Sequence, residues 1–408
     1  MESILKKEDK TKQDKDSGIM NNRKKLGIYV HIPFCVRKCL YCDFLSAKYS
    51  DEIVNSYVNK LLEEIDLRAD EYSSDYEVDS VFFGGGTPSF LSADNLCKIL
   101  CKLKGTFSFT ENCEITTEVN PGTVDFTKLY AYKKAGFNRL SIGLQSADDS
   151  ELMMLGRIHK FADFEETYEN ARKAGFDNIN VDVMSAIPGQ TEESLARTLS
   201  ILCGMKPEHL SVYSLIVEEG TPFASMNLDL PDEDTEREMY ALTGEILRTN
   251  GYEMYEISNY AKPGFECRHN IKYWERDEYL GLGLGASSLL GGEIPDIRLK
   301  DTTSMDDYLN SEFLGEKEIL SREDCMAEFM FLGLRMNRGV SLSRFEDVFG
   351  CSALKVYGEA IDKHIKEGLL EYSGRLVNEK ESERDERIRL TNEGRNLANY
   401  VMCDFLPD

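Results

Sequence analysis

Apolar positions recur along the chain in two alternating rhythms. Short β-rich runs stand at Gly27–Ile32, Asp79–Phe83, Glu114–Val119, Arg139–Gly143, Asn178–Val183 and Leu210–Leu215. Between them apolar residues return at three- and four-residue spacing, the period of a helix that buries one face. In the first such segment Val54, Val58, Leu61, Leu62 and Ile65 share a face. Others are predicted near 92–104, 123–135, 161–174, 191–203 and 233–250. Gly105, Gly136, Gly175, Gly204 and Gly251 each follow a helical run and read as helix stops, because glycine accepts the left-handed backbone that ends a helix. Six strand–helix units in series predict an α/β fold with a parallel sheet and right-handed crossovers. An open doubly wound sheet and a partial barrel both satisfy this pattern, and both put chemistry at the carboxyl ends of the strands.

The pattern weakens at both ends. Residues 1–25 carry eight Lys/Arg against five Asp/Glu with almost no apolar period, and read as a disordered charged tail. Residues 26–300 form the core, whose last part, 252–300, is rich in glycine and aromatics and reads as loops with short strands. Residues 301–408 form a separate C-terminal module. Helical segments near 322–336, 342–349 and 352–367 precede a hairpin of Leu369–Glu371 with Ile388–Leu390, and a closing helix starts near Thr391. That order is winged-helix-like, a shape often used on DNA. Residues 322–408 hold 13 Lys/Arg against 17 Asp/Glu, however, so the module reads as structural or partner-docking. The segment Glu379–Arg389 is a charged loop.

Charge and cysteine usage narrow the class. A formal net charge of −25 sets nucleic acid aside as the main partner, since phosphate binding needs clustered Lys and Arg. Eleven cysteines at irregular spacing, with no secretory h-region, place the chain in a reducing cytoplasm. No apolar run is long enough to span a membrane.

Within Tyr29-Val-His31-Ile-Pro-Phe-Cys35-Val-Arg-Lys-Cys39-Leu-Tyr41-Cys42-Asp-Phe44, three thiols fall on one loop after the first strand. Three thiolates so spaced converge on a soft metal centre, either a 4Fe–4S cluster with one open iron or a structural zinc with His31 as fourth ligand. Gly84-Gly-Gly86-Thr87-Pro-Ser ends the second strand, where glycines permit close backbone approach to a ligand. Glu118, Gln145 and Asp182 stand at or just past successive strand ends, where a charged group in an apolar strand needs a partner. Cys97 and Cys101 share a helix face and are expected in the core.

The cysteine spacing followed by Gly-Gly-Gly-Thr-Pro-Ser resembles the radical S-adenosylmethionine (SAM) superfamily, whose fold is a partial six-stranded parallel (β/α) barrel. In that family the open iron binds SAM, and one-electron reduction cleaves SAM to a deoxyadenosyl radical. The stretch Tyr29-Val-His-Ile-Pro-Phe narrows the likeness to heme chaperones of the HemW type and to oxygen-independent coproporphyrinogen III dehydrogenase. Phe44 stands where the dehydrogenase pattern has a further cysteine, and His269-Asn270-Ile-Lys-Tyr273-Trp274 resembles the HNxxYW motif associated with heme. The resemblance therefore implies a 4Fe–4S cluster on Cys35, Cys39 and Cys42, and SAM contacts from Tyr29, Tyr41, Gly86, Thr87, Glu118, Gln145, Arg157 and Asp182. It implies heme contacts from His269, Asn270, Tyr273 and Trp274, with Cys267 packing inertly beside them. It also implies a heme-accepting protein and an electron donor for the cluster as partners, and no separate catalytic residue. Decarboxylation of coproporphyrinogen III propionates is the alternative activity.

Overall fold

The computed structural model describes residues 23–291, 295–374 and 386–407. The charged tail therefore lies outside the described residues up to position 22, as does most of the charged loop at 379–389. Six strands, β1 (Lys24–Ile32), β2 (Tyr76–Gly85), β3 (Ser108–Val119), β4 (Arg139–Gln145), β5 (Ile179–Ser185) and β6 (His209–Ser214), lie side by side in chain order, each parallel to the next. The connections carry α1 (Asp51–Tyr72), α2 (Ala93–Thr106), α3 (Phe126–Ala135), α4 (Asp149–Met154), α5 (Phe161–Lys173) and α6 (Glu192–Met205), and α7 (Glu233–Thr249) follows β6. This is the expected α/β arrangement. On α1, Val54, Val58, Leu61 and Ile65 are buried in the main core with Leu62 at its margin, so the three/four spacing marks the packed face.

Helix ends follow local chemistry. Ser50, Ser92, Asp125, Thr191 and Asp232 each accept a backbone N–H at a helix start, relieving an orphan donor of the first turn. Gly136 ends α3 at φ 108°. Gly105 and Gly204 do not act as stops: they lie inside the last turns of α2 and α6. Phe107 turns extended after α2, and Lys206 itself takes the left-handed conformation (φ 60°) after α6.

The sheet extends beyond the six strands. On the β6 side come β8 (Asn259–Ala261) and β7 (Glu253–Glu256); on the β1 side come β9 (Tyr279–Leu282), β10 (Ser287–Leu290), β11 (Ile297–Asp301) and β12 (Leu314–Ile319), giving twelve strands in one sheet among the described residues. β9 is parallel to β1, with Gly27 opposite Tyr279 and Val30 opposite Leu282. The stretch expected as loops with short strands also contains a helix, α8 (Arg268–Trp274). Helix α9 (Met305–Leu309) packs on α1, and its Tyr308 belongs to the main core.

A second core, which also takes in Leu289 of β10, is built from Leu320 onward and adopts the winged-helix order. It comprises α10 (Arg322–Gly333), β13 (Val340–Ser341), α11 (Leu342–Phe349), α12 (Ala353–Lys366), β14 (Leu370–Ser373) and β15 (Arg387–Leu390), closed by α13 (Asn392–Asn396) and α14 (Ala398–Cys403). Its three strands pair antiparallel in the order β13-β15-β14. Among the described residues no helix is long and apolar enough to cross a membrane.

Candidate functional site

The cysteine loop leaves β1 at Ile32 and is pinned at its base and its tip. At the base Cys35 N donates to Ala47 O (3.1 Å), while Phe34 is fully buried, edge-on to Tyr49 and Tyr57. At the tip Leu40 N donates to Leu155 O (3.2 Å), and Leu40 O accepts from Phe223 N (3.1 Å). Between these anchors Cys35, Cys39 and Cys42 are half-buried and line one cavity. Burial raises the Cys42 thiol to about 11, so its thiolate needs a metal or cationic partner to form near neutral pH.

The glycine run lies directly beneath the loop. Gly85 has φ +112°, and a Cβ there would fall 2.5 Å from the His31 ring. A Cβ on Gly86 would come within 2.8 Å of Phe34 O, while Gly86 N donates to Ile32 O (2.9 Å). These glycines let the second strand end pass under the cysteine loop. Thr87 Oγ1 lies 3.4 Å from Cys35 Sγ and accepts from Asn120 Nδ2 at 2.8 Å.

Six of the predicted SAM residues, Tyr41, Gly86, Thr87, Glu118, Gln145 and Asp182, line this cavity, and Arg157 makes a seventh. Arg157 Nη2 donates to Gly143 O (2.6 Å) and Asn120 Oδ1 (2.8 Å), its Nη1 lies 3.6 Å from Cys39 Sγ, and its Nε has no partner. Burial, reinforced by the charge of Asp182, raises the Glu118 carboxyl to about 8. Asp182 is also raised by burial, although it accepts from Asn180 Nδ2 (2.8 Å) and Ser141 Oγ (3.2 Å). Gln145 sits at φ 77° where the β4–β5 register shifts, a backbone cost that turns a side chain at the strand end. Tyr29 is not on this lining: its hydroxyl lies 3.0 Å from His31 Nδ1 and its ring stacks on Phe82.

The donor set suits a cluster better than one ion. His31 has both ring nitrogens engaged, on Tyr29 OH and on Leu45 O (2.9 Å), so it offers no free nitrogen to zinc. Among the described residues no three His, Cys, Asp or Glu side chains stand close enough to share a single metal ion. Three spaced thiols around one cavity match a polynuclear centre, in which each cysteine meets its own iron. Of the two cysteines expected in the core, Cys97 is half-buried and Cys101 is exposed on α2, beyond the face that packs.

A second and larger cavity shares Tyr41, Cys42, Glu118, Gln145 and Asp182 with the first. Phe82, Met184 and Tyr213 extend its wall across the strands, and the mostly exposed Phe44 and Ile216 also line it. Among the groups on its lining that escaped the sequence reading as site residues are Arg139 on β4 and Ser141.

Helix α8 carries the His-Asn-x-x-Tyr-Trp motif, of which Asn270 alone lines this cavity. His269 is buried, with Nδ1 2.9 Å from Ser80 Oγ and Nε2 2.9 Å from Tyr273 OH, and its ring stacks on Phe82 at 5.5 Å. Burial, then the charges of Lys272 and Arg139, lower its pKa to about 3, so it is neutral. Tyr273 is edge-on to Tyr279, and Trp274 lies 4.4 Å beneath the Arg335 guanidinium. In this conformation His269 is thus a bonded core residue. Cys267 is fully buried, and burial raises its thiol to about 12.

Residues 29–202 match the family model described as Radical SAM superfamily, and residues 320–378 match the HemN C-terminal domain. The chain is 36% identical over 390 residues to "Heme chaperone HemW" of Lactococcus lactis subsp. lactis (strain IL1403), covering 93% of this chain and 97% of that protein. It is 34% identical over 392 residues to "Heme chaperone HemW" of Bacillus subtilis (strain 168), covering 93% and 99% respectively. The solved structure of coproporphyrinogen III oxidase (HemN) from Escherichia coli superposes with a TM-score of 0.79 at 24% identity, over 94% of this chain and 90% of that one. That likeness establishes a shared fold.

Proposed function

The chain belongs to the HemW family of the radical SAM superfamily, and from that premise we propose that it binds a 4Fe–4S cluster and SAM and carries heme to an acceptor protein. Cys35, Cys39 and Cys42 would hold the cluster, which supplies an open iron for SAM and a one-electron redox centre. Arg157 carries the positive charge suited to the SAM carboxylate, while Glu118 and Asp182 are acceptors for its amine or hydroxyl groups. Gly86 permits close backbone approach, and Tyr41, Thr87 and Gln145 complete the wall. Tyr29 would act from behind it, through His31 and Phe82.

The observation that carries the heme reading is the second cavity, larger than the first and continuous with its wall, to which the motif helix contributes Asn270. His269, Tyr273 and Trp274 belong to the same segment. His269 would reach a heme iron only by leaving Ser80 and Tyr273, so binding through it requires α8 to shift. A reducing cytoplasm, with an electron donor for the cluster, suits a chain whose eleven cysteines are all free thiols.

The test is anaerobic reconstitution followed by heme titration and, separately, incubation with coproporphyrinogen III, SAM and a strong reductant. Expected are about four irons per chain, a saturable Soret change with heme, and no decarboxylated porphyrin above a cluster-free control. Harderoporphyrin or protoporphyrin in the second assay would replace the chaperone with the dehydrogenase.

A further inference from the structure

Arg139 opens β4 and is among the bulkiest fully buried side chains, with 1% of its surface exposed. Among the described residues it forms no ion pair and its buried Nε has no hydrogen-bond partner, although Glu114 and Asp182 act on it through space. Other interior arginines are matched: Arg68 meets Asp301 at 2.9 Å, and Arg276 meets Asp296 and Glu328. The two carboxylates nearest in influence on Arg139 are committed elsewhere. Glu114 accepts from Arg268 N (3.2 Å) and His269 N (3.1 Å), and Asp182 accepts from Asn180 and Ser141. A buried guanidinium without a partner is costly unless something binds it.

That something reaches it from the second cavity, which Arg139 lines. Along β4, Arg139 is one same-face step before Ser141, and Ser141 is in register with Glu118 on β3. The strand order therefore sets the cation deeper along the strands than the two carboxylates, away from the cysteine loop at their carboxyl ends. Phe82, Met184 and Ile216 supply apolar wall. Glu118 and Asp182 offer an anion no positive charge, so Arg139 is where one settles. The occupant fitted to this wall is flat and apolar with a carboxylate at one edge.

We propose that Arg139 receives a propionate carboxylate of the heme, so that the porphyrin enters the second cavity propionate-edge first. This rests on the heme reading above and adds an orientation to it.

The experiment compares heme with heme dimethyl ester, whose propionates carry no charge, in the full-length cluster-loaded protein and in Arg139→Gln. A charge-assisted hydrogen bond in a desolvated site predicts that the wild type binds heme roughly ten- to a hundredfold tighter than the ester. Arg139→Gln should lose that preference while still binding the ester as the wild type does. Equal wild-type affinity for both ligands overturns the assignment and leaves the chaperone reading standing. A preference that survives in Arg139→Gln overturns it too, and places the carboxylate elsewhere. Failure of the wild type to bind either ligand overturns both. Where Arg139→Gln does not fold, Arg139→Met, uncharged and better suited to an apolar interior, takes its place with the same two outcomes.

Discussion

Glu118 is a carboxylic acid that burial and Asp182 hold protonated to about pH 8. Unfolded, it would ionise near its ordinary value of 4.5. Between those values the folded chain keeps a proton the unfolded chain has lost, so its contribution turns unfavourable to stability as pH rises. Glu118→Gln mimics the protonated acid. Cofactor-free Glu118→Gln should exceed the wild type in stability at pH 8 by roughly 1–3 kcal/mol, with the gap closing toward pH 5. Denaturant midpoints at the two pH values measure this, and an unchanged gap would show that Glu118 is ionised in the fold. Glu118 and Asp182 were legible because a charge inside an apolar strand advertises a site. Arg139 obeys the same rule but stands at the first position of its strand, where a charged residue is ordinary. Only its place beside β3 in the folded sheet reveals that it is covered.

Helix α8 was illegible for two reasons. Seven residues are too few for a helical period to register against aromatics and a preceding glycine loop. Its N-cap, Cys267, makes no side-chain cap; Glu114 of β3 takes the first two N–H groups instead. Capping by a residue that distant in sequence leaves no local signature. Glu114→Ala should destabilise the protein by about 1–3 kcal/mol, from a lost cap and buried donors left unpaired. Faster amide exchange confined to 268–271 would locate the effect, whereas uniform exchange would assign Glu114 another role. The six long helices were legible because their caps are local: Ser50, Ser92 and Asp232 immediately precede the first turn.

At the scale of the molecule, the winged-helix module was legible as an order of elements, but its seat was not. Its cations turn toward the core: Arg335 pairs with Glu256 and covers Trp274, while Arg338 and Arg344 meet Glu275 and Arg344 meets Asp277. Glu328 of α10 answers in the other direction, binding Arg276 at 2.9 Å and also Arg298. The module therefore grips the residues that end α8. Glu328→Gln leaves Arg276 only Asp296 and should cost about 1–3 kcal/mol, read from chemical denaturation. No loss of stability would mean that this junction is solvated in solution. Sequence patterns report which segments are amphipathic, but not which charges meet across two cores.

The pairing of β9 with β1 has a consequence in time. Val30 and Leu282 are partners 252 positions apart. At roughly 5–20 residues per second, a ribosome takes about 10–50 s to travel between them. Over that interval β1 has only β2 beside it, and the bare edge is open to foreign strands. The late segment also finishes the base of the cysteine loop: Leu284 N donates to Tyr57 OH (3.0 Å), whose hydrogen goes to His31 O (2.8 Å). The three thiols are thus made early and braced late. A nascent chain passes through an interval in which its cysteine loop is complete in sequence, loosely held, and reachable by oxidants.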